Sequence, residues 1–247
     1  MSVRSFENIH IVMVATSHPG NIGATARAMK TMGVSNLRLV RPRAFPSAEV
    51  TARAAGADDI LARARVVPEL MEAVADCGLI LATTARTRGL AWPELTPADG
   101  AARMLAAAAS GTQVALVFGN ERSGLSNEEL ECCQGAIRIP TDSDYSSLNL
   151  AAAVQIICYE LRKQSSDGLG VSPAPEAPLT TGAQMEQLYQ HLEQTLIDIG
   201  FYDPDKPMLL MRRLKRLFNR AQLDANEYNI LRGILAATQN KVKNRGE

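Results

Sequence analysis

Hydrophobic residues along the chain fall into short apolar runs that alternate with longer stretches of helical spacing. The runs that predict strands are residues 9–14, 37–40, 79–83, 114–118 and 136–139, and residues 22–32 between the first two predict an amphipathic helix. Strands that alternate with helices at this spacing indicate a mostly parallel sheet with helices on its faces. We therefore predict an α/β fold.

A polar segment divides the chain at residues 164–181, with the sequence QSSDGLGVSPAPEAPLTT. It is too poor in large apolar side chains to pack and is typical of a linker. Beyond it, apolar residues recur at helical spacing in three stretches. These residues are Met185, Leu188, Leu192, Leu196 and Ile199, then Leu210, Leu214, Leu217 and Phe218, then Ile230, Leu231, Ile234 and Leu235. The prediction is an α/β domain over 1–163, a flexible linker over 164–181 and a small all-helical extension over 182–247.

Capping residues support these elements. Asn21 is placed to cap the first helix, Gly33 to end it, and Ser126 with Glu129 to form a capping box.

The distribution of charge along the chain says more about function than the overall composition does. The 247 residues carry 26 Lys and Arg against 26 Asp and Glu, a net charge of zero that argues against nucleic acid for the chain as a whole. Local patches decide RNA binding, however. No acid lies between Lys206 and Arg220, so this stretch predicts either an RNA contact or a solvated helix face.

The four cysteines have neither metal-ligand spacing nor the pattern of a disulfide framework. We expect a cytoplasmic protein without a metal. No apolar run approaches the roughly 18 residues of a membrane span, so we expect no membrane contact.

Three polar loops follow predicted strands, and ligands of open α/β sheets bind at the carboxyl ends of strands. The first loop, residues 16–23, leads into a helix whose N-terminus attracts anions. Gly23 leaves space over which Arg27, one turn later, could reach a phosphate or a ribose; a surface ion pair is the alternative for Arg27. His18 lacks an orienting carboxylate nearby in sequence and is interpreted as a loop residue.

The second loop, residues 119–125, has two glycines and follows a buried strand, which suits it to hold a small polar ligand. The third, residues 145–149, reads Tyr-Ser-Ser-Leu-Asn and enters an apolar helix. Its hydroxyls and amides can serve a ligand or simply cap that helix.

The three loops together resemble the motifs of the SPOUT superfamily of RNA methyltransferases, in its 2′-O-methylating SpoU-type branch. The matching motifs are Asn21-x-Gly23-x-x-x-Arg27-Ala28, residues 118–125 (FGNERSGL), and Ile137-x-Ile139-Pro140 with residues 145–149. This resemblance covers about residues 7–162. It implies a parallel sheet with a C-terminal trefoil knot, which is rare among proteins, a bent S-adenosylmethionine cofactor and a homodimer.

The resemblance also implies roles for individual residues. The cofactor would be lined by Thr83, Thr84, Ala85, Gly119, Ile139, Ser146, Ser147 and Leu148. The catalytic residues would be Arg27, Asn21, Ser147 and Asn149. Because a guanidinium is almost never deprotonated, we prefer Arg27 as an electrostatic group, with direct proton abstraction as the alternative. Glu121 is expected to hold the second loop in shape.

Over its whole length the chain is similar to bacterial members that methylate the ribose at position 32, cytidine or uridine, in the tRNA anticodon loop. The RNA would contact Arg27, Arg86, Arg88, Arg122, Arg212, Arg213, Lys215 and Arg216. Another tRNA position or ribosomal RNA is the alternative substrate, and a non-catalytic RNA-binding module is the alternative class. Intact motif residues argue against the latter.

Overall fold

The computed structural model describes residues 6–85, 93–166, 177–206 and 209–243. The strands are β1 (Ile9–Val14), β2 (Asn36–Val40), β3 (Arg65–Val67), β4 (Leu79–Thr83), β5 (Glu94–Leu95), β6 (Val114–Phe118) and β7 (Gly135–Ile137). The helices are α1 (Pro19–Met32), α2 (Ala48–Ala54), α3 (Asp58–Arg63), α4 (Leu70–Val74), α5 (Pro97–Ala109), α6 (Asn127–Glu131), α7 (Leu150–Ser166), α8 (Gly182–Asp198), α9 (Leu210–Ala221) and α10 (Ala225–Lys243).

The strands form one seven-stranded sheet in the order β3-β2-β1-β6-β4-β7-β5. Each described pairing is parallel; in β1, for example, Ile11 lies opposite Leu37 of β2 and Leu116 of β6. The predicted α/β class with a parallel sheet is confirmed. Since all strands run the same way, their carboxyl ends meet at a single edge.

Both faces of the sheet are buried. Ile11 and Leu116 pack under α1, α5 and α7, whereas their neighbours Val12 and Val117 pack under α4 and α6 on the other face. Strands buried on two sides explain the continuous apolar runs of the sequence.

The predicted helix ends are partly confirmed. Gly33 ends α1 in the left-handed region with φ 82°, and Ser126 forms its capping box with Glu129. The prediction that Asn21 caps α1 is wrong, because the helix begins two residues earlier at Pro19, after the N-cap residue His18. Proline suits the first helical position because its ring presets φ and no N–H is needed there.

The chain around the predicted linker is more regular than its composition suggests. Helix α7 continues to Ser166, and Gln164 donates to the carbonyl of Ala98 over 2.7 Å. At the other end, Gly182 donates its N–H to the carbonyl of Cys77 over 2.8 Å, which fixes the start of α8 against the α/β domain.

Three helices form the C-terminal unit, as predicted. Their small core contains Met185, Leu188, Tyr189, Leu223 and Tyr228. Part of the predicted apolar stripe on α10 is exposed instead; Ile230 and Ile234 keep 62% and 56% of their surface. Within the described ranges, no helix is long and apolar enough to cross a membrane.

Candidate active site

A cavity of about 310 Å³ opens at the carboxyl ends of β4, β6 and β7. Every residue that the sequence suggested for the cofactor lines it. These are Thr83, Thr84, Ala85, Gly119, Ile139, Ser146, Ser147 and Leu148. Ile137, Leu125 and Leu150 add apolar surface. Ligand pockets for small molecules occupy roughly 300–1,000 Å³ and combine apolar walls with a few polar groups, and this cavity has both properties.

The loop after β6 folds tightly back on itself to form one wall. A Cβ at Gly119 would lie 2.3 Å from the backbone of Gly124 and Leu125, so only glycine fits. Asn120 accepts from the N–H of Arg122 and donates to the carbonyl of Ala15 over 2.6 Å. Asn120 therefore joins this loop to the end of β1. The residue belongs to the sequence motif, but the motif alone did not predict this contact.

The carboxylate of Glu121 lies at the N-terminus of α1. It accepts from the N–H and hydroxyl of Ser17 over 2.9 and 2.8 Å, from the N–H of His18 over 3.2 Å and from Nδ2 of Asn21 over 2.9 Å. Burial raises the pKa of Glu121, but the hydrogen bonds from Ser17 and Asn21 outweigh it and lower the pKa to about 2.

This arrangement corrects the expectation of an anion site for ligands at the start of α1. The anion that the helix N-terminus attracts is the protein's own Glu121. A carboxylate saturated with donors is a poor general base, so the geometry favours a structural role for Glu121.

Asn21 and Asn149 connect the first loop to the third. Nδ2 of Asn149 donates to Oδ1 of Asn21 over 3.0 Å, while Oδ1 of Asn149 caps α7 by accepting from the N–H groups of Ala151 and Ala152. The capping interpretation of the third loop is confirmed for Asn149, while Ser146, Ser147 and Leu148 line the cavity, where a ligand contact stays a prediction.

Arg27 is exposed on α1 and does not belong to the described lining of the cavity. The expected open space at Gly23 is absent: a Cβ there would lie 2.1 Å from the carbonyl oxygen of Val50 and 2.8 Å from Cβ of Arg53. Helix α2 fills the space. The function of Gly23 is therefore to let α2 pack closely on α1, and Arg27 projects one turn further along.

Three further arginines predicted to contact RNA follow β4 or β6 in the sequence. Arg122 is exposed at the rim of the cavity. Arg86 and Arg88 lie outside the described residues.

The basic helix α9 faces acids of its own chain. Arg212 forms an ion pair with Glu131 at the end of α6, and Lys215 lies 3.8 Å from Glu186 and 5.4 Å from the centre of the Tyr189 ring. Arg216 is half-buried, and its Nε has no hydrogen-bond partner among the described residues. Arg213 is exposed. Much of the charge that the sequence assigned to RNA thus holds α9 in place.

The four cysteines are free. Burial raises the pKa of Cys132 to about 11 and that of Cys158 to about 12, so both remain thiols at neutral pH. In the part of the chain that the structure describes, no three His, Cys, Asp or Glu side chains are grouped as metal ligands would be.

Comparisons with known proteins agree with this site. The model of the SpoU rRNA Methylase family matches residues 8–159, and that of the C-terminal domain of the tRNA methyltransferase TrmJ matches residues 183–247. The chain is 49% identical over 242 residues to the tRNA (cytidine/uridine/adenosine-2′-O-)-methyltransferase TrmJ of Pseudomonas aeruginosa, with 94% of each chain covered.

It is also 46% identical over 242 residues to the tRNA (cytidine/uridine-2′-O-)-methyltransferase TrmJ of Salmonella typhimurium, covering 97% of this chain and 99% of that one. The crystal structure of TrmJ from Z. mobilis superposes with a TM-score of 0.80 at 34% identity, over 92% of this chain and 97% of that chain. The chain therefore belongs to the SpoU methylase family and, with its C-terminal domain, to the TrmJ methyltransferases within it.

Proposed function

We propose that this enzyme transfers the methyl group of S-adenosylmethionine to the ribose 2′-hydroxyl at position 32, cytidine or uridine, in the anticodon loop of tRNA. Full-length similarity to tRNA 2′-O-methyltransferases supports the reaction class and the tRNA substrate. The observation that carries the proposal is that the loops after β4, β6 and β7 line one common cavity.

The residues of this cavity fit S-adenosylmethionine by their chemistry. Ile139 and Leu148 offer apolar cover for a purine ring, and Thr83, Ser146 and Ser147 offer hydroxyls near backbone groups that can read its edge. When bound, this cofactor supplies an electrophilic methyl group on a sulfonium. The protein has to hold that group in line with the ribose oxygen and accommodate the hydroxyl proton.

Arg27 acts from the RNA side. Its position outside the cavity lining suits a guanidinium that binds the phosphate beside the target ribose and eases loss of the hydroxyl proton. Asn21 and Asn149 keep α1 and the third loop in register, and Ser147, which borders the cavity, orients the ribose. Arg122 at the rim adds positive charge toward the RNA.

The trefoil knot belongs to the proposal as well. After β7, on the far side of β4, the chain returns past β4 and β6 so that α7 packs on α1 and α5. That return, with the loops after β6 and β7 at the same edge of the sheet, is the path that a knot in residues 119–166 would take. A homodimer, as the family implies, is the expected assembly, and light scattering at micromolar concentration would detect it.

For RNA recognition, single-stranded anticodon loops expose their ribose and bases, whereas the tRNA body offers phosphates. The exposed Arg213 of α9 is available for that body. Ribosomal RNA is the alternative substrate, because the matching family is named for it. The helical C-terminal unit favours tRNA, since its own model is that of a tRNA methyltransferase.

One experiment tests the proposal. The protein is incubated with methyl-labelled S-adenosylmethionine and tRNA lacking the methyl group at position 32, and the label is mapped by nuclease digestion and mass spectrometry. A transcript with 2′-deoxyribose at position 32 is the matched control and should accept no methyl group. Label at another nucleotide would overturn the position, and label only in ribosomal RNA would overturn the substrate.

A further inference from the structure

Positive charge is carried by three arginines on or next to helix α1, one on the helix itself, one in the segment after β2 and one on α2. Arg27, Arg43 and Arg53 are all exposed. Within the described ranges, none of the three side chains forms a hydrogen bond or an ion pair, whereas Arg38, Arg41 and several other cations do. The three guanidiniums are therefore exposed to solvent and available to an external anion.

The side chain of Arg53, on α2, packs against α1 at two of its glycines. Its Cβ lies 2.8 Å from where a Cβ of Gly23 would be, and its Cγ lies 3.6 Å from the corresponding position at Gly20. The arginine stem therefore lies across the first turns of α1 at Gly20 and Gly23, the residues on either side of Asn21 and Ile22. Arg27, one turn after Gly23, continues the same line of charge.

The backbone of Arg43 is hydrogen-bonded to the loop before α1. Its N–H donates to the carbonyl of Thr16 over 3.0 Å, which ties the segment after β2 to the loop that holds the Glu121 carboxylate. The acids facing the group are Glu49, whose Oε1 lies near Gly20, and Glu121, whose oxygens are already occupied by donors. Three cations thus face one exposed carboxylate.

We propose that Arg43 and Arg53 form, with Arg27, a phosphate-binding surface that grips the tRNA backbone next to the methylated ribose. The proposal rests on the proposed tRNA substrate and assigns the grip to the α/β domain. Helix α9 is less suited to this role because Arg212 and Lys215 are paired with acids of the chain. Arginine forks match phosphate oxygens and are the usual choice for such contacts.

The test compares the full-length protein with Arg43→Gln, Arg53→Gln and the double variant. Arg65→Gln is the matched control, because Arg65 is exposed at the start of β3, the opposite edge of the sheet. Fluorescence anisotropy with a tRNA transcript between 50 and 300 mM KCl gives the Kd and its salt slope. Each variant should weaken binding about threefold and flatten the slope of log K against log salt by about 1.

Phosphate contacts carry no sequence information, so unmodified tRNA and tRNA already methylated at position 32 should lose affinity equally. In methylation assays KM for tRNA should rise while kcat changes less than about twofold, and the Kd for S-adenosylmethionine should stay constant. Arg65→Gln should match the wild type in every measurement.

The outcomes separate this surface from the proposed function. Suppose that the wild-type protein methylates position 32 but the double variant binds tRNA with the same affinity and salt slope as the wild type. That result would overturn the phosphate-binding surface and leave the proposed function intact. If the variants flatten the salt slope of tRNA binding but the wild-type protein methylates no tRNA, the surface is supported and the proposed function is overturned. A change of oligomeric mass in the variants would show that the arginines join two copies of the chain, which also overturns the proposal.

Discussion

Asn149 donates from Nδ2 to Oδ1 of Asn21 over 3.0 Å, and Asn21 in turn donates from its own Nδ2 to Glu121. A carboxylate only accepts hydrogen bonds, so Glu121 fixes the orientation of the Asn21 amide, which then fixes that of Asn149. One relay thus sets three loops from distant parts of the sequence. Its outer end is the cap of α7.

The first prediction concerns Asn149. Asn149→Asp retains an oxygen to cap α7 but has no donor for Asn21, whose Oδ1 it would repel. We expect a folded protein whose kcat falls about 10- to 100-fold through misplacement of the third loop. Asn149→Ala should in addition lose about 1 kcal/mol of stability with the cap.

Initial rates and urea unfolding of both variants, combined with Asn21→Ala in a double-mutant cycle, measure the coupling. Strictly additive losses in kcat from positions 21 and 149 would refute the relay.

The second prediction is a pH dependence. Glu121→Gln places an amide among donors, so the free energy of unfolding should fall by roughly 1–3 kcal/mol at pH 7. The folded pKa of Glu121, about 2, lies below its ordinary value of 4.5. The advantage of the wild type should therefore be complete above pH 4.5 and shrink as the pH falls toward 2.

Thermal unfolding of both proteins between pH 3 and 7 tests this, with the exposed Glu72→Gln as control. A difference in Tm that is independent of pH would contradict the assignment of this stabilisation to the Glu121 carboxylate.

The third prediction concerns Arg27. Arg27→Ala should reduce kcat at least 100-fold while the Kd for S-adenosylmethionine changes less than about twofold, since Arg27 does not line the cavity. Arg27→Lys should restore little, because an ammonium lacks the planar fork. Calorimetric titration and single-turnover rates measure the two effects separately. Loss of cofactor affinity in proportion to activity would place Arg27 on the cofactor instead.

The sequence predicted the sheet well, since strands buried on both faces need continuous apolar runs, as at residues 114–118. It missed β3 and β5, which have three and two residues and are too short to show a period. The cavity residues were also anticipated. Parallel strands bring their following loops to one edge, so motif residues such as Gly119 and Ser147 meet there.

Contacts between distant elements could not be predicted in the same way. Spacing places Gly23 and Arg27 on one face of a helix, but it does not show that α2 covers the glycine. The acid-free run of α9 likewise gave no sign that Glu131 and Glu186, from α6 and α8, neutralise part of it. A sequence shows where basic residues are concentrated, but only the fold shows which of them stay exposed and which pair with acids.

The last prediction concerns Asn219, which joins the C-terminal unit to α6. Its Nδ2 donates to the carbonyl of Glu131 over 2.7 Å, and its Oδ1 accepts from the hydroxyl of Tyr189 over 2.6 Å; only 5% of the residue is exposed. Asn219→Ala removes the donor to the partly buried carbonyl of Glu131 and leaves Tyr189 only its longer contact to the carbonyl of Lys215, so it should lower the free energy of unfolding by about 1–3 kcal/mol. Asn219→Asp keeps the acceptor for Tyr189 and should lose less.

Because α6 follows directly on the cavity loop, loosening this contact should also weaken S-adenosylmethionine binding severalfold. Urea unfolding and calorimetric titration measure the two effects, and Arg213→Ala, an exposed change on the same helix, should alter stability by less than about 0.5 kcal/mol. If Asn219→Ala destabilised the protein yet bound the cofactor with wild-type affinity, the C-terminal unit would be attached to the methyltransferase domain without supporting its cofactor loop.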